Sequence, residues 1–205
     1  MEQTLISILI LAPLVGFFIN GLRWKSENCK LAGAIATSAV FISFIAAVTL
    51  VAKLIQLPEA ERQLTAHFFD WIHVGSFQAN AAFLVDQISA VMILIITGVG
   101  TLIHLFSVGY MSHDKRPAKY FSFLNFFIFN MLLLVLGDNL LVMFVGWEGV
   151  GLASYLLIGF WFHDPAKAAA GMKAFITNRI GDAGFLLGIF TLFFYFGTVE
   201  FSELA

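Results

Sequence analysis

The sequence predicts an all-α integral membrane protein with about six transmembrane helices. Three observations carry that class. Hydrophobic residues fill 60% of the 205 positions and charged residues only 12%, about half the ~25% charge of soluble domains. Mean hydropathy is +0.91. The apolar residues fall into six runs near the ~20 residues that cross a bilayer as a helix, without the period-two alternation of a barrel strand.

The first run, residues 4–22, has Glu2 as the only charge before it, and Arg23 and Lys25 follow it. A secretory signal peptide carries its positive charge ahead of the apolar stretch, so this run is read as a retained helix. The second run covers residues 31–57. Residues 58–82 form the longest loop and mix Glu59, Glu61, Arg62 and Asp70 with Phe68, Phe69, Trp71 and Phe77. Aromatics beside charges suit the membrane–water interface, where the loop is expected as short strands or an amphipathic stretch. Helix three is expected over residues 83–110, with Asp86 near its start as a capping or interface residue. Helix four covers 120–137. Only Gly137, Asp138 and Asn139 separate it from helix five at 140–162, turn chemistry that makes an antiparallel hairpin. His163, Asp164 and Pro165 lead into helix six at 168–196, with Asp164 suited to the N-cap and Pro165 to the first turn. The chain thus reads as two parts, 1–110 with helices one to three and 111–205 with helices four to six.

Loop charge predicts orientation. Arg23, Lys25, Lys30, Lys115, Arg116, Lys119 and Lys167 lie in or beside the odd loops, whereas the even loops hold only Lys53 and Arg62. The positive-inside rule places the odd loops in the cytoplasm or its equivalent and both termini outside, and the membrane expected is a bacterial inner membrane. A net charge of −2 with no basic cluster argues against a nucleic-acid partner. The single Cys29 excludes an intramolecular disulfide, and no Cys-rich spacing suits an iron–sulfur cluster or structural zinc. There is no P-loop or G-x-G-x-x-G; Gly181, Gly184 and Gly188 lie in an apolar helix and are read as close-packing positions. The chain is therefore expected to hold no redox cofactor and to carry no electrons.

Two of the runs bear charge where charge is costly. Glu148 sits in Gly146-Trp147-Glu148-Gly149-Val150-Gly151, and Lys173, Arg179 and Asp182 lie in helix six. An ionised side chain at mid-bilayer costs roughly 2.5–3.5 kcal/mol, so such residues point first to function. At ~1.5 Å per residue, Glu148 lies about 12 Å in from Leu140 and Asp182 about 21 Å in from Ala168, both central in a ~30 Å core. Arg179 and Asp182 are three apart and can pair, and Asn178 can donate to Asp182. Lys173 lies one to two turns toward the basic side, and His104 on helix three lies toward the same side. Burial raises a carboxylate's pKa and a nearby cation lowers it, so a mobile cation would make Glu148 alternately take and release a proton. Moving one charge against about 150–200 mV costs roughly 3.5–4.6 kcal/mol, a pKa swing of about 2.5–3.4. A buried acid can supply that. The same residues admit a structural reading: Arg179–Asp182 as helix glue, Lys173 as a snorkelling charge, and His104 as an interhelical hydrogen-bonder instead of a relay. Gly146, Gly149 and Gly151 are read as packing positions that leave room for water beside Glu148.

The run from Gly146 to Trp161 resembles the fifth-helix signature of the chain 5/L subunits of respiratory complex I, NADH:quinone oxidoreductase. Leu140 to Phe144, Lys173-Ala174-Phe175, Asn178 to Asp182 and the approach from Tyr110-Met111 to Tyr120-Phe121 resemble the same family. The resemblance implies the N-terminal part of an antiporter-like subunit fold that helps couple quinone reduction elsewhere in the complex to proton translocation. It implies Glu148 as the proton-accepting acid, Asp182 as part of its charged neighbourhood, and Lys173 and Arg179 as associated polar residues. NADH, FMN, iron–sulfur clusters and quinone would belong to the parent complex and none to this chain. The partners implied are other membrane subunits, especially the neighbouring antiporter-like subunit, and the lipid bilayer. Family members run well beyond this length, with an inverted repeat and a broken seventh helix whose lysine acts on the helix-five glutamate. These residues are thus expected to be an N-terminal portion that does not translocate protons alone. Two other classes stand beside this one: a subunit of a multisubunit sodium/proton antiporter, and a non-transporting assembly scaffold.

Overall fold

The computed structural model describes residues 2–75 and 77–204. Among the described residues, six helices are long and apolar enough to cross a membrane. They are α1 (Glu2–Leu22), α2 (Cys29–Gln56), α3 (Gln87–Tyr110), α4 (Pro117–Leu136), α5 (Leu140–Ile158) and α6 (Pro165–Phe196). After α2, a single 3-10 turn (Glu59–Glu61) leads into an antiparallel pair of strands, β1 (Leu64–Val74) and β2 (Phe77–Val85). A short α7 (Phe201–Leu204) follows α6.

Helices α1 to α4 form a bundle in which α1 packs on α2 and α4, and α2 on α3. Its core holds Ile6, Leu9, Val40, Leu50, Ile93, Leu132 and Leu136, all fully buried. α5 lies against α4, and α6 lies against α5. The short connections place these three as neighbours in chain order.

Local signals set the helix ends. The Asp86 carboxylate accepts the Ser89 N–H at 2.7 Å while Ser89 Oγ accepts the Asp86 N–H at 2.7 Å, a reciprocal capping box at the start of α3. Asn139 caps α5 by accepting the N–H groups of Leu141 and Val142. Asp164 caps α6 just ahead of Pro165. Gly197 ends α6 at φ +74°, a left-handed conformation that glycine adopts without a Cβ penalty.

The helices begin two or three residues earlier than read in α1, α2, α4 and α6, and two boundaries differ by four residues. Residues 83–85 belong to β2, and α3 begins only at Gln87, after the Asp86 cap. Hydropathy alone cannot tell an apolar strand end from an apolar helical turn. α5 stops at Ile158, and the buried Phe160 turns back onto Cys29, Met111 and Phe121.

The loop left open between strands and an amphipathic stretch is the β1–β2 pair, and it anchors one end of the bundle. Asp138 N–H donates to the Ala82 carbonyl at 3.1 Å, and Asn139 Nδ2 donates to the Asn80 carbonyl at 2.7 Å. Asn80 Nδ2 in turn donates to Glu200 at 3.1 Å, and Leu140 N–H donates to Val199 at 3.0 Å. The α4–α5 turn is thereby tied both to β2 and to the segment after α6. These bonds satisfy backbone groups that a helix start would otherwise leave open and hold α5 in position for its central residues.

Candidate functional site

The charges of α5 and α6 meet near mid-helix. Arg179 Nη1 contacts the Glu148 carboxylate and lies 3.5 Å from Asp182 Oδ2. Trp147, adjacent to Glu148, donates its indole N–H to Asp182 Oδ1 at 2.7 Å. Two neighbouring residues of α5 therefore hold two residues of α6 that lie one turn apart. The Asp182 side chain is only 6% exposed, against 25% for Glu148 and 43% for Arg179. Asp182 is withdrawn from the surface, and the guanidinium bridges from it to the more open glutamate. The guanidinium carbon also lies 4.8 Å from the centre of the Phe175 ring, a cation–π contact that favours this placement.

Glycines set the seat of α5. A Cβ on Gly146 would lie 2.6 Å from Leu134 Cα, and one on Gly149 would overlap the Asn130 side chain. Both positions press against α4. Gly151 has nothing within 4 Å and instead borders a cavity of about 350 Å³ with Ser154, Thr177, Asn178 and Asp182. The three glycines thus divide their work, two packing and one lining space beside the α6 aspartate.

The other sequence candidates lie apart from this centre. Asn178 lines the cavity, and the donor to Asp182 is Trp147 instead. Lys173 is exposed and forms no ion pair among the described residues. His104 is fully buried, with Nδ1 2.7 Å from the Gly100 carbonyl and Nε2 2.7 Å from Asn125 Oδ1. It joins α3 to α4, and no hydrogen bond among the described residues links it to Glu148. Among the described residues a Cβ on Gly181, Gly184 or Gly188 would meet nothing within 4 Å, so no close-packed neighbour stands against them here, and α6 has α5 as its main neighbour. Sequence reasoning missed Trp147 and Asn125. The signals were there, since an indole N–H or an amide in an apolar run needs a partner.

At the end of the bundle beyond Leu140, Asp138 keeps its proton to higher pH than an ordinary aspartate. Burial raises its pKa most, and the Glu200 carboxylate adds to the effect.

The comparisons with known proteins bear on this site. Residues 71–121 match the family described as NADH-Ubiquinone oxidoreductase (complex I), chain 5 N-terminus. Residues 137–205, which hold α5 and α6, match NADH:quinone oxidoreductase/Mrp antiporter, TM. The chain belongs to the chain 5/subunit L family of NADH-quinone oxidoreductases. It is 43% identical over 198 residues to subunit L of Mycobacterium tuberculosis (strain ATCC 25618 / H37Rv), covering 95% of this chain and 31% of that one. Identity to subunit L of Rhodobacter capsulatus is 41% over 201 residues, 95% of this chain and 28% of that one. Chain 5 of the NADH-ubiquinone oxidoreductase of Chondrus crispus is 38% identical over 195 residues, with 95% of this chain and 29% of that one covered. The chain spans less than a third of the length of these family members. A chain of the archaeal membrane-bound sulfane sulfur reductase shares the fold at a TM-score of 0.75 and 21% identity, over 96% of this chain and 29% of that chain.

Proposed function

We propose that the chain forms the first part of a proton-translocating membrane subunit of an NADH:quinone oxidoreductase, with Glu148 as its proton-accepting acid. The observation that carries this reading is the sharing of Arg179 between Glu148 and Asp182 near mid-helix. While the guanidinium stays on Glu148, the carboxylate remains charged. Displaced toward Asp182, which the Trp147 indole holds in place, Arg179 leaves Glu148 to take up a proton in an apolar setting. Its return expels that proton. The cavity beside Asp182, lined by Ser154, Thr177 and Asn178, offers room for water along the way.

Family membership supports quinone reduction as the driving event, with NADH, FMN, iron–sulfur clusters and quinone held by other subunits. The neighbouring antiporter-like subunit is the partner this reading assigns. Lys173 and His104 are assigned to proton delivery from the basic side, which the positive-inside rule makes cytoplasmic in a bacterial inner membrane, leaving the N-terminus outside. Alternating access needs broken, bistable helices, which this reading places in the remaining length of the relatives.

The test is proton pumping per NADH oxidised in membrane vesicles carrying the intact complex. Glu148→Gln is expected to lower that ratio, and Trp147→Phe to lower it less, because Asp182 keeps Arg179 but loses its positioning donor. An unchanged ratio in Glu148→Gln would refute the assignment. The match to a family that includes Mrp antiporters supports the second reading, sodium/proton exchange, and a sodium-dependent pH gradient without NADH would identify it.

A further inference from the structure

The bundle end opposite the strands, where the odd loops gather, holds a cavity of about 510 Å³ between the α3–α4 and α5–α6 connections. Lys115, Arg116, Lys119 and Lys167 line it together with Asp114 and Asp164. Both carboxylates are already engaged. Asp114 accepts the Trp161 indole N–H at 2.9 Å and the Arg116 backbone N–H at 2.8 Å. Asp164 accepts the Ala166 N–H at 3.0 Å and lies 3.6 Å from Lys167 Nζ. Among the described residues, Lys115, Arg116 and Lys119 form no ion pair. Lys119 is half-buried, its Nζ 5.0 Å from the Phe162 ring centre and 5.4 Å from that of Phe123. Two helices also start here, α4 at Pro117 and α6 at Pro165, and among the described residues no side chain caps α4. Their positive dipole ends add to the potential of the lysines.

An apolar cavity of about 240 Å³ opens from the same place. It shares Lys119, Phe160 and Phe162 with the first and continues past Tyr155 and Leu156 of α5 to Met172 of α6. The cationic chamber therefore adjoins an apolar cavity between α5 and α6. A small hydrated anion would fill the chamber and leave the apolar cavity unused. An amphiphile with a phosphate head and an apolar tail matches both.

We propose that these adjoining cavities together bind one anionic glycerophospholipid, its phosphodiester held by Arg116 and Lys119 and an acyl chain lying against Phe160 and Leu156. Basic pockets between transmembrane helices recognise anionic headgroups in this way, and the aromatic residues Trp161 and Phe162 suit the interfacial depth.

The experiment is photolabelling of the intact protein in its native assembly with a phosphatidylglycerol that carries a diazirine in its acyl chain. Labelling is read per folded protein recovered, so a variant that fails to fold does not pass for one that fails to bind. Label is expected on peptides from 113–123 and 155–172, competed by unlabelled phosphatidylglycerol and not by phosphatidylcholine or inorganic phosphate. Each basic residue near an anionic headgroup favours it about fivefold, so Arg116→Gln with Lys119→Gln is expected to cut labelling roughly 20- to 30-fold. Lys25→Gln with Lys30→Gln, charges at the same end but outside the cavity, is expected to leave it unchanged. Equal loss in both double variants would reveal diffuse surface attraction and overturn the proposal. Displacement by inorganic phosphate, or equal competition by phosphatidylcholine, would overturn it too.

Discussion

Gly146→Ala isolates the contact that seats α5 on α4 and so places Glu148 toward Arg179. The added Cβ would lie 2.6 Å from Leu134 Cα and 2.9 Å from the Leu133 carbonyl carbon, where ordinary contact begins at 3.4 Å. Both partners are backbone atoms, so no rotamer change relieves the overlap, and the helices must part by about 1 Å in a close-packed interface. Overpacking costs about 1–3 kcal/mol, with backbone clashes at the upper end. Alanine returns up to about 1 kcal/mol of helix propensity. The net loss is therefore about 2 kcal/mol, a fall of about 4–8 °C in Tm for a chain near this size. Gly151→Ala, on the same helix with nothing within 4 Å, is the matched control, expected neutral or slightly stabilising. The assay is thermal unfolding of the intact protein in detergent, paired with vesicle proton pumping to register the displaced Glu148. A Gly146→Ala protein as stable as the parent, or an equal loss in Gly151→Ala, would refute the reasoning.

Two further outcomes follow from the same geometry. Replacing His104 by Leu leaves Asn125 Oδ1 unpaired beside an Asn125 Nδ2 that already lacks a partner among the described residues, an expected cost of about 1–3 kcal/mol. Asn125→Leu should cost similarly and the double variant less than the sum; strictly additive losses in thermal unfolding would show the pair to be uncoupled. Asp138, with its pKa raised by burial and by Glu200, binds its proton more tightly folded than unfolded, so its contribution is complete below the ordinary aspartate pKa of about 4. It is lost as pH climbs through the raised folded value. Hydrogen-exchange protection of the Leu140 and Phe201 amides, which bond to Val199 and Asp138, is expected to fall across that window and to be flat in Asp138→Asn.

Local chemistry made much of this protein legible in its sequence. Six apolar runs gave six spans because hydropathy over about 20 residues is a property of the segment itself. Asp86 and Asp164 stand at helix starts, as read, because a cap bonds only two or three residues ahead; the Asn139 cap of α5 came only with the structure. The place of Glu148 and Asp182 near the middle of their helices followed from counting along the chain. Which side chain answers which charge did not follow. Spacing predicted the Arg179–Asp182 pair within α6, but the contact of Arg179 with Glu148 and the Trp147 bond to Asp182 depend on how α5 and α6 are rotated against each other. That rotation rests on distant contacts: Gly146 on Leu134, the Asn139–Asn80 bond, and Leu140 on Val199. Identical glycines consequently diverge, with Gly146 and Gly149 tight against α4 and Gly181, Gly184 and Gly188 facing open space. His104 and Lys173, candidates by charge and residue type alone, lie outside the Glu148–Arg179–Asp182 network. The sequence by itself determined the apolar spans, the caps at Asp86 and Asp164 and the place of each charge along its helix, because these depend on neighbours along the chain. Only the tertiary structure decided the partners, because helix rotation and close approach are set by residues far apart in sequence.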